Sequence, residues 1–96
     1  TTGDSVLYSI PMSAYTGAFF DYTIKGVSTG GARAGNVSSI WSGSTSDYSD
    51  ISTNDILGST TAVTLSVVVS TGNTADFTAT VTGSENWDIR TIVRSI

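Results

Sequence analysis

The pattern along the chain is alternation at period two, broken by small and turn-forming residues. Over Gly17–Ser28, Ala18, Phe20, Tyr22 and Ile24 fall on one side, and Phe19, Asp21, Thr23 and Lys25 on the other. This is the signature of a half-buried strand. Gly30-Gly31 marks a turn, and Ala32–Trp41 reads as the hairpin partner. Ser42-Gly43-Ser44 interrupts that run, and Thr45–Ile51 forms a short strand centred on Tyr48. Residues 52–60 are turn-rich, with Ile56 and Leu57 expected to tuck the loop back onto the core. The strongest strand is Ala62–Ser70, with Val63, Leu65, Val67 and Val69 on one face. Val68 lies on the other face and predicts cover on both sides for part of its length. Thr71-Gly72-Asn73 is a tight-turn signal leading into Ala75–Thr82, and Trp87–Ile96 closes the chain after Gly83-Ser84-Glu85-Asn86. In this last strand Trp87, Ile89 and Val93 oppose Asp88, Arg90 and Arg94, while Ile92 and Ile96 break the polar pattern.

With Ser5–Met12 as the first strand, the count is seven to eight, with turns every 8–12 residues. That spacing predicts an all-β chain folded as a single antiparallel β-sandwich, jelly-roll-like. Ninety-six residues make one domain, spanning 1–96, with 1–4 reading as the remnant of a linker because of Thr1-Thr2-Gly3. At this size a single core is modest, and a partner subunit can supply further burial.

Composition narrows the function classes. Charged residues are 12% of the chain, against about 25% in ordinary soluble proteins. Sixteen serines and sixteen threonines leave a surface wetted by hydroxyls rather than ions. A net charge of −4 with four basic residues argues against nucleic-acid binding, which rests on neutralised phosphates. No apolar run approaches the ~20 residues of a membrane-spanning helix, so no membrane insertion is expected. The absence of cysteine and histidine removes disulfides, thiolate metal sites and the usual neutral-pH proton shuttle. Without them, nucleophilic catalysis would need a Ser–Lys pair or an Asp/Glu-based scheme, and Lys25, the sole lysine, sits on the polar face of a strand. Glu85 and Asp88 are close in sequence but fall at a turn and a strand start, where ordinary turn roles account for them. No catalytic residues and no cofactor are expected.

Three further groups carry candidate chemistry. Asp47, Asp50, Asn54 and Asp55 form the densest set of oxygen ligands and a weak calcium candidate, although their spacing matches no EF-hand and such residues suit turns in their own right. Asn36-Val37-Ser38 fits a glycosylation acceptor but falls inside a strand, and is discounted. Trp41, Tyr48 and Tyr15 are candidates for a flat ligand or receptor platform, since aromatic rings on a β face or loop tip stack against sugars; core or interface is the simpler reading of Trp41. Exposed apolar residues on a terminal strand suggest an interface, and Phe19, Ile92 and Ile96 are the candidates, with a position under a loop as the alternative for the two isoleucines.

The blocks Ala18-Phe19-Phe20-Asp21-Tyr22-Thr23-Ile24-Lys25, Arg33-Ala34-Gly35-Asn36-Val37, Ser39-Ile40-Trp41 and Trp87-Asp88-Ile89-Arg90-Thr91-Ile92-Val93-Arg94 resemble β-rich domains of bacteriophage virion proteins. Those domains are often C-terminal segments of tail-fibre, spike or head-fibre-like polypeptides. The resemblance runs from about Ala14 to Ile96. It implies a non-enzymatic role in assembly or attachment on an extracellular particle, a homo-oligomer with a trimer favoured, and contact with a host-surface glycan or protein. A stand-alone carbohydrate-binding or adhesin module using Trp41 and Tyr48 is the alternative.

Overall fold

The computed structural model describes residues 3–96. Seven strands follow in chain order: β1 (Gly3–Pro11), β2 (Gly17–Gly26), β3 (Ala32–Ser42), β4 (Thr45–Ser52), β5 (Val63–Val69), β6 (Thr74–Val81) and β7 (Trp87–Ser95). They build two antiparallel sheets, one in the order β1-β6-β5 and the other β4-β3-β2-β7. The chain is a β-sandwich, as the alternation predicts. Gly3 and Asp4, read from the sequence as linker, are the first residues of β1. Thr1 and Thr2 lie outside the described residues.

The inward faces follow the period-two pattern. Ala18, Phe20, Tyr22 and Ile24 of β2, with Val37 and Trp41 of β3, meet Val63, Leu65 and Val67 of β5 and Ala75, Phe77 and Ala79 of β6; Ile10 of β1 completes the core. Phe20 and Phe77 stack face to face at the centre, with centroids 4.2 Å apart and planes 11° from parallel. The turns use their expected residues. Gly43 takes φ 62° between β3 and β4, and Asn73 rather than Gly72 adopts the left-handed conformation (φ 61°) between β5 and β6. Asn is among the residues that tolerate this region best. A register shift between Val6 and Tyr8 places a bulge on the edge strand β1.

Two packing expectations are corrected. Val68 is exposed, because among the described residues no further layer lies over the outer face of the three-stranded sheet. Ile56 and Leu57 do not tuck onto the core; Leu57 is 85% exposed and has φ 62°. Hydrogen bonds hold this segment instead. Ala32 and Ile56 exchange both backbone bonds (3.0 and 2.9 Å), and Thr53 bonds Ala34 through its backbone N–H (2.8 Å) and its Oγ1 (3.1 Å). The plug is Thr60, which is fully buried. Its N–H (2.9 Å) and hydroxyl both donate to Asp55, holding that carboxyl below its ordinary pKa.

The β2–β3 turn is closed by Glu85 from the β6–β7 connection. Its carboxylate accepts hydrogen bonds from Ser28 Oγ (2.7 Å) and from the backbone N–H groups of Thr29 (2.8 Å) and Ser28 (3.2 and 3.3 Å). The Ser28 hydroxyl, followed by the Thr29 N–H, lowers its pKa from 4.5 to about 2. A carboxyl whose folded-state pKa is depressed stabilises the fold above its unfolded value and loses that contribution as pH falls through the folded one. Melting temperature is therefore expected to drop between about pH 4.5 and 2. Glu85→Gln should flatten that slope in a series of thermal melts; an unchanged slope would mean that Glu85 does not carry it.

Candidate interaction surface

Because neighbouring strands share register, the outer face of the four-stranded sheet can be described in rows running from β7 to β4. One row reads Ile92, Asp21, Asn36, Ile51; the next reads Arg94, Phe19, Ser38, Ser49. In the third, Ile96 follows β7 and bonds Gly17, which pairs with Ile40, and Ile40 pairs with Asp47. Alternation sets the parity: partners on the other face, such as Phe20, Val37 and Trp41, are buried. The sequence candidates Phe19, Ile92 and Ile96 thus share one surface, and neither isoleucine lies under a loop. Ile92 is 67% exposed and Ile96 64%.

The structure adds Ile40 and Ile51, the latter 74% exposed, on the β3–β4 side of the same face. Between these side chains the surface dips. A hollow of about 440 Å³ lies over Gly17 and Ser38, walled by Phe19, Ile40 and Ile96. Another of about 350 Å³ lies at Thr23, Ala34 and Ile92, and a third of about 620 Å³ at Ala32, Ala34, Lys25 and Ile56. At the floor of the first hollow, the close approach of β2 to the β3 backbone requires Gly17. A Cβ there would lie 2.7 Å from the Ser39 carbonyl oxygen.

Polar contacts hold the face in shape. Asn36 Nδ2 donates to Asp21 Oδ1 (2.7 Å), Arg94 pairs with Asp21 Oδ2 (3.6 Å), and the Arg94 guanidinium lies 5.2 Å from the Phe19 ring centre. Arg90 pairs with Asp88 (3.2 Å). Three of the four basic residues, Lys25, Arg90 and Arg94, lie here with three acids, Asp21, Asp47 and Asp88. The face is neutral. The net charge of −4 belongs to Arg33 and to Asp4, Asp50, Asp55, Asp76 and Glu85 elsewhere. The outer face of the three-stranded sheet differs, presenting Thr64, Ser66, Thr74 and Thr80 with Asp4 and Asp76, beside the exposed Val6 and Val68.

The other sequence candidates separate. Trp41 is only 5% exposed, so it offers no ring to a ligand, a correction to the platform reading. Its Nε1–H donates to the Tyr15 carbonyl (2.7 Å) and its backbone N–H to Thr16 (3.1 Å), which ties the β1–β2 connection to β3. Tyr15 and Tyr48 are partly exposed, but with Trp41 buried they form no three-ring platform.

The proposed calcium ligands do not converge. Asp47 is on the outer face and accepts from the Tyr48 N–H (2.9 Å), whereas Asp50 is on the opposite face and accepts the Tyr22 hydroxyl (2.7 Å). Asp55 is bound to Thr60, and Asn54 lines the hollow beside Lys25. Among the described residues no group of three or more acidic, His or Cys side chains is placed to hold a metal ion.

One arrangement had no sequence signal. The Arg33 guanidinium donates from Nη1 to Thr60 O (2.9 Å) and Oγ1 (2.8 Å), from Nη2 to Val63 O (3.1 Å), and from Nε to the Tyr22 hydroxyl (3.4 Å). Burial is the leading cause of the raised pKa of Tyr22. Arg33, Tyr22 and Asp50 therefore form a structural polar chain from β3 through β2 to β4. Comparison with protein-family models, with curated proteins and with solved structures finds no match for this chain.

Proposed function

We propose that this chain is a non-enzymatic structural and attachment domain of a bacteriophage virion protein, of the fibre or spike type, working as a homo-oligomer on the particle surface. The observation that carries the reading is the outer face of the four-stranded sheet: exposed Ile40, Ile51, Ile92 and Ile96 around Phe19, on a face with no net charge. Large exposed apolar side chains gathered on one face, here with Asp21, Asn36, Ser38 and Ser49 among them, support an association site. The hydroxyl-rich remainder suits copies packed closely on one particle, and the resemblance of the Ala18–Lys25 and Trp87–Arg94 blocks supplies the phage assignment. The trimer is the favoured state.

The test is absolute mass by light scattering on a sizing column over a wide concentration range. A stable species of about three chain masses is the expected result. A 9.9 kDa monomer at every concentration would overturn the assembly reading.

A further inference from the structure

The assembly reading leaves open what meets the exposed face and which half of it is used. We infer that its occupant is a second copy of this same face, with the β3–β4 half of one copy (Ile40, Ile51, Asp47) packed on the β2–β7 half (Phe19, Ile92, Ile96, Arg94) of the next. The inference rests on the proposed assembly role and adds which half of the face meets which.

Shape is the first argument. Ile92 and Ile51 stand at opposite ends of one row, with the lower side chains of Asp21 and Asn36 between them. Hollows lie over Gly17 and Ser38 and beside Ala34. A surface that carries both the projecting side chains and the hollows can complement a second copy of itself.

Charge is the second argument. The β3–β4 half of the face carries Asp47 alone, while the β2–β7 half carries Lys25, Arg90 and Arg94 against Asp21 and Asp88, one net positive charge. Half-on-half packing brings the acidic half of one copy to the basic half of the next. Two copies meeting through the three-stranded sheet would instead oppose Asp4 and Asp76 to the same acids, with no basic residue on that face.

Area is the third. Four strands ~4.8 Å apart and ~9 residues long at ~3.3 Å each give a footprint of roughly 570 Å² per copy. Packed half on half, each contact hides roughly 570 Å², and a closed ring of three copies covers every face in full, on the order of 1,700 Å² over its three contacts.

The test compares wild-type protein with Ile51→Lys, Ile92→Glu and Val68→Lys in concentration-dependent light scattering, with far-UV circular dichroism and tryptophan emission as the check on folding. Each of the first two changes removes a projecting apolar group and reverses the local charge preference. All three residues are exposed, so folding should survive. Ile51→Lys and Ile92→Glu should each weaken association by ~30-fold or more, and Val68→Lys on the opposite sheet should leave it unchanged. Dissociation by Ile92→Glu but not by Ile51→Lys would overturn the inference and leave the assembly reading standing. Dissociation by Val68→Lys alone would move the interface to the other sheet, with the same consequence. A monomeric wild type would sink both.

Discussion

Phe77→Ala should lower the unfolding free energy by about 3–5 kcal/mol, the usual loss for truncating a fully buried aromatic side chain. Phe77 lies on β6, the middle strand of its sheet, and its stacking partner Phe20 on β2, an inner strand of the other. Both side chains are fully buried. The strands around them are fixed on both sides by backbone ladders, so the sandwich cannot close over the space a missing ring leaves. The cavity term then adds to the lost transfer free energy. Domains of this size have only about 5–15 kcal/mol in total, so the variant should sit near its folding threshold. Urea unfolding followed by tryptophan emission at fixed protein concentration checks this. The midpoint should fall sharply with little change in slope. A loss under ~1 kcal/mol would mean that the ring is not packed as described.

The second large effect is expected from Arg33→Met, at roughly 2–3 kcal/mol. Arg33 is the fourth basic residue and the one that is not on the outer face. Its guanidinium spans Thr60, Val63 and Tyr22, so it joins β3 to the start of β5 across the 53–62 connection. Methionine fills the space of the stem but leaves the Val63 and Thr60 oxygens without the charged donors that reach them. Charge-assisted bonds are about twice as strong as neutral ones, and the planar fork serves several acceptors at once. Arg33→Lys should therefore recover only part of the loss. The local consequence can be tested separately. In Arg33→Met the 53–62 segment should be cut faster by limited proteolysis, while the hairpin of β2 and β3 stays protected. Equal protection in both proteins would show that the segment does not depend on Arg33.

The two corrections within the fold have one cause. Three consecutive apolar residues, Val67-Val68-Val69, cannot alternate, and the reading that covers both faces assumes a second layer over β5. Among the described residues the sheet has none, so Val68 faces outward. Ile56 and Leu57 are apolar inside a loop, and apolar residues in loops usually anchor it. Here polar groups do so, and the anchors Arg33, Thr53, Asp55 and Thr60 are hydrophilic residues with no local pattern to give them away.

Trp41 was ambiguous for a related reason. Ile40 and Trp41 are adjacent, one of them must face inward, and period two does not say which. Pairing with β2 decides it: Ile40 lies opposite Gly17 on the outer face, and the Trp41 ring turns into the core. The same decision exposes Ile40 and completes a surface of which only Phe19, Ile92 and Ile96 were legible beforehand.

By itself the sequence determined the fold class, the strands to within a few residues at their ends, and the inward faces of β2, β5 and β6, because these depend on local turn chemistry and on which side of a pleated strand is apolar. It also excluded thiol and imidazole chemistry, which is a matter of composition. The hairpins of β2 with β3 and of β5 with β6 were also legible from their turns; only the tertiary structure decided that β7 joins β2 across sixty residues of chain while β5 and β6 cross to the other sheet, and hence that Phe19, Ile40, Ile51, Ile92 and Ile96 share one neutral face. Alternation assigns a side chain to a face of its own strand, but strand order and register place it beside its neighbours, and those come from long-range pairing that no local pattern encodes.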